Sequence, residues 1–365
     1  AKVRMGLQKY TLPNFTGIGS PILDADGAGI TITNQFTENV AASLFWLRAE
    51  NDNDPDMAEH DAHDAMDFIG MTVPLTFDGV KVTPWAMYGA IGRDSFDGAG
   101  SASGYGASET ILAERMLPIG APALLGADID RHGNAWWVGV ASELTYFDPF
   151  RVALDAAYGS VDMGTVGKFD VERSGWFASI LAEYKMDYFT PGILFWYASG
   201  DDSSSTNGSE RMPSIEGSWT ASSYGFDDNY GRIACDMLGL SNDGKMGVYL
   251  QAKDISFMEN LTHAIQVGYY RGTNNKNMPE NAGMTTFHTS YPDATGSMVG
   301  STYLTTKDGA WEATFDTDYQ IYKDLTLAVE LGYIHLSLND GVWGNVLDNT
   351  NRNAYKASVN MRYAF

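Results

Sequence analysis

The chain has 365 residues, with 46 acidic against 23 basic side chains and a net charge of −23. That balance argues against nucleic acid and anionic phospholipid as partners and makes divalent cations the more natural company. A single cysteine, Cys235, excludes a disulfide framework and a thiolate metal site, and the lack of any apolar run of about eighteen residues excludes a helical membrane span.

No linker or composition shift divides the sequence, so residues 1–365 read as one domain. No charged-then-apolar leader stands at Ala1, as expected for the processed form of an exported chain. Residues 2–10 put Val3, Met5 and Leu7 on one face and Lys2, Arg4 and Gln8 on the other, a first strand. A Gly/Pro/Asp-rich loop follows, then short strands through Ile30 and Ile32 and through Leu44 and Trp46. Two further strands meet at Phe77-Asp78-Gly79, where Asp and Gly accept the backbone of a tight hairpin turn. Residues 93–134 then show little periodicity over 42 positions.

Alternation returns with Trp136, Val138 and Val140 opposite Gly139, Ala141 and Glu143, and continues after a turn through Val152, Leu154, Ala156 and Tyr158. The next rows are Trp176 to Met186 and Ile193, Phe195, Tyr197. Residues 200–244, rich in Ser, Gly, Asp and Asn, are the least readable: one long loop, or two concealed short strands. Strands through Met246 to Ala252, Ile265 to Tyr269, Trp311 to Ile321 and Leu325 to Tyr333 follow, with a long loop over 272–309. The last twelve residues, AYKASVNMRYAF, place Tyr355, Ala357, Val359, Met361, Tyr363 and Phe365 on one parity and Lys356, Ser358, Asn360 and Arg362 on the other.

Strands of about ten residues with aromatics at both ends suit a bilayer crossed by a barrel, in which only alternate residues meet lipid. Trp136, Trp176, Trp311 and Tyr355 fall at one predicted rim and Tyr146, Tyr184, Tyr319, Tyr363 and Phe365 at the other. The expected fold is therefore all-β, an up-and-down antiparallel transmembrane β-barrel of 14 strands, or 16 if residues 200–244 hide a hairpin. Short turns and long polar loops alternate along it.

The final alternating strand closing on Phe365 resembles the assembly signal of Gram-negative outer-membrane barrels, and the whole pattern resembles the general diffusion porins. The acidic, Gly-rich character is similar to the trimeric porins of sulfate-reducing bacteria. The resemblance implies an outer-membrane location, a homotrimer, and passive diffusion of ions and small hydrophilic solutes through a water-filled pore without enzymatic chemistry; acidic loops that bridge to lipopolysaccharide through divalent ions are a separate expectation from charge. It also implies a constriction made by the long loop after the fifth strand, here 93–134, folded into the lumen. That loop carries Asp94, Asp97, Glu109, Glu114, Asp128 and Asp130 against Arg93, Arg115 and Arg131.

Barrel closure would pair the first and last strands and set Lys2 and Arg4 beside Lys356 and Arg362 as a basic wall, with Glu312, Asp316, Asp318 and Glu330 as an acidic sector. An acidic loop facing a basic wall makes a transverse field and a cation preference. For any one of these charges the plainer expectation is that it solvates a wide lumen. Asp52, Asp54 and Asp56 in NDNDPDMAEHDAHD offer oxygen ligands at alternate positions, suited to Ca²⁺ though short of an EF-hand loop, with His60 and His63 nearby. No cofactor is otherwise expected. A substrate-specific channel for sugars or organic acids is the alternative, with Trp85, Trp137 and Trp196 as inward aromatics; a rim hydrolase using His335 and Ser337 is a more distant one.

Overall fold

A computed structural model describes residues 1–50, 65–96, 105–119, 129, 131–226, 241–284, 291–292, 298–299, 302–347 and 351–364. In chain order the elements are β1 (Lys2–Thr11), β2 (Asp24–Gln35), β3 (Ala41–Glu50), β4 (Met66–Thr72), β5 (Leu75–Phe77), β6 (Val80–Ile91), α1 (Tyr105–Met116), β7 (Gly133–Leu144), β8 (Phe150–Val166) and β9 (Phe169–Tyr184). There follow β10 (Thr190–Ala198), β11 (Lys245–Met258), β12 (Leu261–Gly272), α2 (Met278–Asn281), β13 (Tyr291–Pro292), β14 (Met298–Val299), β15 (Gly309–Tyr322), β16 (Leu325–Ser337), α3 (Asp340–Trp343), a 3-10 turn (Gly344–Leu347) and β17 (Asn353–Tyr363).

Fourteen strands form one continuous antiparallel path from β1 to β17, each beside its neighbours in sequence, and β5 adds a fifteenth against β6. β5 lies just beyond Pro74, which has no N–H to donate to a ladder. The tiny β13–β14 hairpin stands apart from this sheet. The described part of residues 200–244 adds no strand to the sheet, and residues 227–240, on which the sixteen-strand alternative turns, lie outside the described residues.

Long connections gather at one rim and connections of a few residues at the other, as the sequence predicts, with one exception. Between β8 and β9, where a long loop is expected, the strands run on to 17 and 16 residues and turn at Gly167-Lys168, with Gly167 at φ 62°. The pairing continues beyond the aromatic rim because Val161, Met163 and Val171 find buried positions on the inner face.

The sheet is open between β1 and β17, each of which has one hydrogen-bonded neighbour. The expected pairing of first and last strands is therefore absent, and with it the basic wall. Lys2 and Arg4 lie on the exposed edge. Lys356 is instead 2.7 Å from Glu330, and Arg362 is 3.6 Å from Asp318, so these cations lie against the acidic sector rather than opposite it.

The two faces differ in kind. Outward, Tyr88, Trp136, Trp176, Tyr269, Trp311, Tyr333 and Tyr355 are exposed at one level, and consecutive rings touch: Trp136–Tyr158 at 5.1 Å, Tyr158–Trp176 at 4.6 Å, Tyr269–Trp311 at 4.9 Å and Tyr333–Tyr355 at 5.1 Å between centroids. A second exposed group, including Tyr146, Phe150, Tyr188, Phe257, Tyr322 and Tyr363, lies by the short turns. Two girdles bounding an apolar band are what interfacial aromatics make of a membrane barrel. Phe365 lies outside the described residues.

Inward, large aromatics are buried, and many sit directly opposite a glycine: Phe68 and Gly89, Trp85 and Gly139, Trp137 and Gly159, Trp196 and Gly247, Tyr249 and Gly268. A Cβ at Gly268 would meet the Tyr249 ring at 2.2 Å, and one at Gly159 the Trp137 ring at 2.3 Å. Ring-over-glycine pairing lets the inner face hold wide side chains without forcing the strands apart.

Candidate functional site

Three segments from the long-loop rim occupy the inner side of the sheet. Residues 12–23, between β1 and β2, reach toward the short-turn end: the N–H groups of Phe15 and Thr16 donate to the Asp155 carboxylate at 2.7–3.0 Å, and Thr16 Oγ1 lies 2.6 Å from Ser179 Oγ. Arg151 donates to the Phe15 carbonyl at 2.8 Å while bridging Glu143 at 2.9 Å and Glu183 at 2.7 Å; Lys81 joins Glu143 at 2.9 Å. A girdle of alternating charge thus runs across β6 to β9 beneath this segment, each side chain on the inward parity of its strand. Composition concealed it, because each charge also suits the wet face of an ordinary strand.

Residues 199–226 make the second segment. They lie alongside the first through bridges Ile18 to Thr220 and Leu23 to Glu216, and Trp137 Nε1 donates to the Pro213 carbonyl at 3.0 Å. Trp219 and Phe226 pack against Trp196, with centroids 5.6 and 5.1 Å away. The far end lies on the acidic sector of β15 to β17. Gly225 N donates to Glu312 at 3.0 Å, Ser223 Oγ to Asp316 at 2.9 Å, and Lys356 Nζ to the Ser223 carbonyl at 2.7 Å. Glu312 also accepts from Tyr249 Oη at 2.5 Å. Glu312, Asp316, Glu330 and Lys356 are all less than a tenth exposed. The residues read as an acidic sector are met by an internal segment. Asp318, one register step nearer the turns, stays partly exposed.

The third segment is the expected constriction loop, of which α1 and its flanks are described. It joins the second segment through Arg173 of β9, which is 1% exposed. The Arg173 guanidinium donates to the Glu114 carbonyl at 2.7 Å and the Leu117 carbonyl at 3.4 Å, both at the end of α1, and to the Met212 carbonyl and the Asp243 carboxylate, each at 2.9 Å. Arg211 also pairs with Asp243 and lies over the Tyr303 ring at 5.4 Å. Burial opposes ionisation of Asp243, yet Arg211, Lys245 and Arg173 hold its carboxyl far below the usual carboxylate range. One buried arginine therefore ties the end of α1, the second segment and the 241–244 turn to the sheet. Its inward parity on β9 was the available sequence signal, hidden because the strand runs farther than its apolar row.

Glu114 is the opposite case. Its Oε1 is buried without a hydrogen-bond partner, and burial pushes its carboxyl up to about 8 despite the opposing pull of Arg211 and Arg115. Asp94 pairs with its neighbour Arg93 at 3.1 Å in the turn after β6, and Arg131 pairs with Asp162 at 2.8 Å on an exposed edge. Asp97, Asp128 and Asp130 lie outside the described residues, as does the side chain of Glu109. Asp52, Asp54 and Asp56, with His60 and His63, also lie outside them. Among the described residues no group of His, Cys, Asp and Glu could hold a metal ion. His335 Nδ1 is 3.0 Å from Asn353 Oδ1, which also accepts from Tyr333 Oη at 2.8 Å.

Between α1 and the wall made by β1 to β3 lies a cavity of about 310 Å³. Tyr10, Leu23, Leu47, Leu112 and Ile215 give it apolar walls, and Arg115, Glu216 and Asp26 give it charge.

The chain matches no family model, and no curated protein matches it in sequence. Among solved structures it is similar to OpdQ of Pseudomonas aeruginosa, at 11% identity over 99% of this chain and 75% of that one, with a TM-score of 0.47. It is also similar to OccAB2 of Acinetobacter baumannii, at 12% identity over 99% and 73% with a TM-score of 0.49, and to the monoaromatic hydrocarbon channel CymD, at 11% identity over 100% and 86% with a TM-score of 0.30. At such identities and superpositions the function is to be read from this chain's own residues.

Proposed function

We propose that this chain is an outer-membrane channel of a Gram-negative bacterium that passes small polar solutes selectively through a lumen narrowed by inward-folded segments. The observation that carries the reading is the contrast between faces: two aromatic girdles around an apolar exterior, and an interior where charged side chains of the wall meet inner segments. A spanning barrel needs its edges β1 and β17, unpaired in this structure, to meet in the bilayer, since hydrocarbon offers unpaired strand edges no hydrogen bonds.

The packed inner side favours the substrate-specific alternative over a wide general porin. Trp85, Trp137 and Trp196, the inward aromatics of that alternative, are 6%, 0% and 0% exposed. Cation preference, homotrimeric assembly, contact with lipopolysaccharide and Ca²⁺ at Asp52, Asp54 and Asp56 belong to the same proposal and rest on charge and resemblance.

Reconstitution into planar bilayers tests it. Discrete conductance steps with a cation-selective reversal potential in a potassium chloride gradient are expected; a folded protein that never conducts would overturn it. Neutralising Asp94, Asp97 and Glu109 together is expected to move the reversal potential toward anions, and an unmoved potential would remove that loop from the ion path.

A further inference from the structure

We propose that the cavity between α1 and β1 to β3 recognises a zwitterionic solute with an apolar side chain, of the class of a free aliphatic amino acid or a short apolar peptide. The inference rests on the channel reading and names what that lumen selects.

Arg115, on the last turn of α1, donates through Nη1 to the Ile215 carbonyl at 3.3 Å. That is its one side-chain hydrogen bond among the described residues, out of five N–H donors that a guanidinium carries. Glu114 beside it does not neutralise it at pH 7, because burial keeps that carboxyl largely protonated. Glu216 is fixed by its backbone, its N–H donating to the Ile22 carbonyl at 3.1 Å and its carbonyl accepting from Asp24 N at 2.7 Å. Its carboxylate has no partner among the described residues, nor has that of Asp26 on β2, and both side chains are exposed. Arg48, the other cation at the cavity, is already matched by Asp67 in a two-pronged contact at 3.0 and 2.8 Å. One cavity thus offers a cationic fork from α1 and carboxylates from the second inner segment and from the wall.

A singly charged ligand would leave one of these signs unanswered, and a doubly charged ion would also face its like. A ligand bearing carboxylate and ammonium together answers both, the half-buried Arg115 fork taking its carboxylate while the exposed Glu216 and Asp26 attract its ammonium. Between the two signs the lining is oily: Tyr10, Leu23, Leu47 and Leu112 are each less than a tenth exposed. Burying an aliphatic side chain there adds affinity that a plain polar zwitterion lacks. About 310 Å³ stands near the lower bound of roughly 300–1,000 Å³ for small-ligand sites, which sets the scale of the solute.

The test compares L-leucine, leucinamide and N-acetyl-leucine, which keep both charges, the cation alone and the anion alone. Each is applied to the reconstituted channel at neutral pH for current block, and titrated calorimetrically into the folded protein in detergent. L-Leucine is expected to block saturably and to bind about tenfold or more tightly than either derivative, and Arg115→Gln and Glu216→Gln each to weaken it by about tenfold. Arg352→Gln, which removes an exposed pair with Asp340 and touches none of the residues lining the cavity, is expected to leave binding unchanged. Three compounds that bind alike, or binding indifferent to both cavity variants, would overturn the site while a conducting channel left the channel reading standing. Calorimetric binding with the expected pattern from a protein that never conducts would support the site and remove the channel reading instead.

Discussion

Residues 93–134 and residues 199–226 are both long connections at the same rim, and they invert what their sequences advertise. The first is dense in charge and invites a constriction, yet Asp94 and Arg131 spend their charge on near neighbours, Arg93 and Asp162, and α1 presents apolar Leu112, Ala113 and Met116 as its most buried side chains. The second is a run of Ser, Gly and Asp with no periodicity, and it is the one fastened across the inner face, from Pro213 under Trp137 to Gly225 on Glu312. Small residues with many backbone groups can thread a packed interior and satisfy polar wall side chains. A charged segment cannot do so without a partner for each charge. Loop composition therefore marks what a segment repels more readily than where it goes.

Shortening the two segments separately would break the comparison most directly. Replacing residues 203–222 with a short Gly/Ser link is expected to raise single-channel conductance severalfold, whereas excising residues 97–104 is expected to change it far less; native folding is checked by heat-dependent gel migration. Equal effects would mean that the two segments share the lumen evenly.

A smaller, sharper intervention is Arg173→Met, which removes the link between the two segments and leaves Asp243 with one buried arginine fewer. Removing one member of a buried ion pair costs about 3–5 kcal/mol, so unfolding in guanidinium followed by tryptophan fluorescence is expected to shift by that order. Arg173→Lys is expected to recover only part, because an ammonium cannot reach four acceptors spread along a planar fork.

The smallest expected effect is a pH dependence of α1 docking. Glu114 has a folded-state value of about 8 against an ordinary 4.5, so the fold favours its protonated form. Its contribution to docking is full below 4.5, declines as pH rises toward 8 and is lost above that. Amide hydrogen exchange along α1, corrected for intrinsic rates, is expected to rise across that window. In Glu114→Gln the dependence is expected to vanish.

The sheet was largely legible in the sequence. The alternating rows through Trp136, Trp176, Trp311 and Tyr355 fall where the sequence places them, as does the path of fourteen strands. The candidate site was legible only in fragments. Inward Glu312, Asp316 and Glu330 were readable from parity, but their partners Gly225, Ser223 and Lys356 were not, because those contacts span up to 133 positions of chain. Arg151, Arg173 and Asp155 were missed because a charge on the wet face of a strand looks the same whether water or another segment of the chain answers it.

The sequence by itself determined the strand period, the outward girdles, the direction of each hairpin and the excess of negative charge, since all of these follow from which residues sit at alternate positions along a locally extended chain. Only the tertiary structure decided that residues 12–23 and 199–226 lie along the inner face of the sheet, that Lys356 lies against Glu330 rather than in a basic wall, and that Arg115 and Glu216 meet at one cavity. The physical reason is one of range. A strand pattern is enforced by neighbours two residues away, whereas the interior of a wide sheet is settled by which distant segment best matches the hydrogen bonds and charges that the wall leaves open.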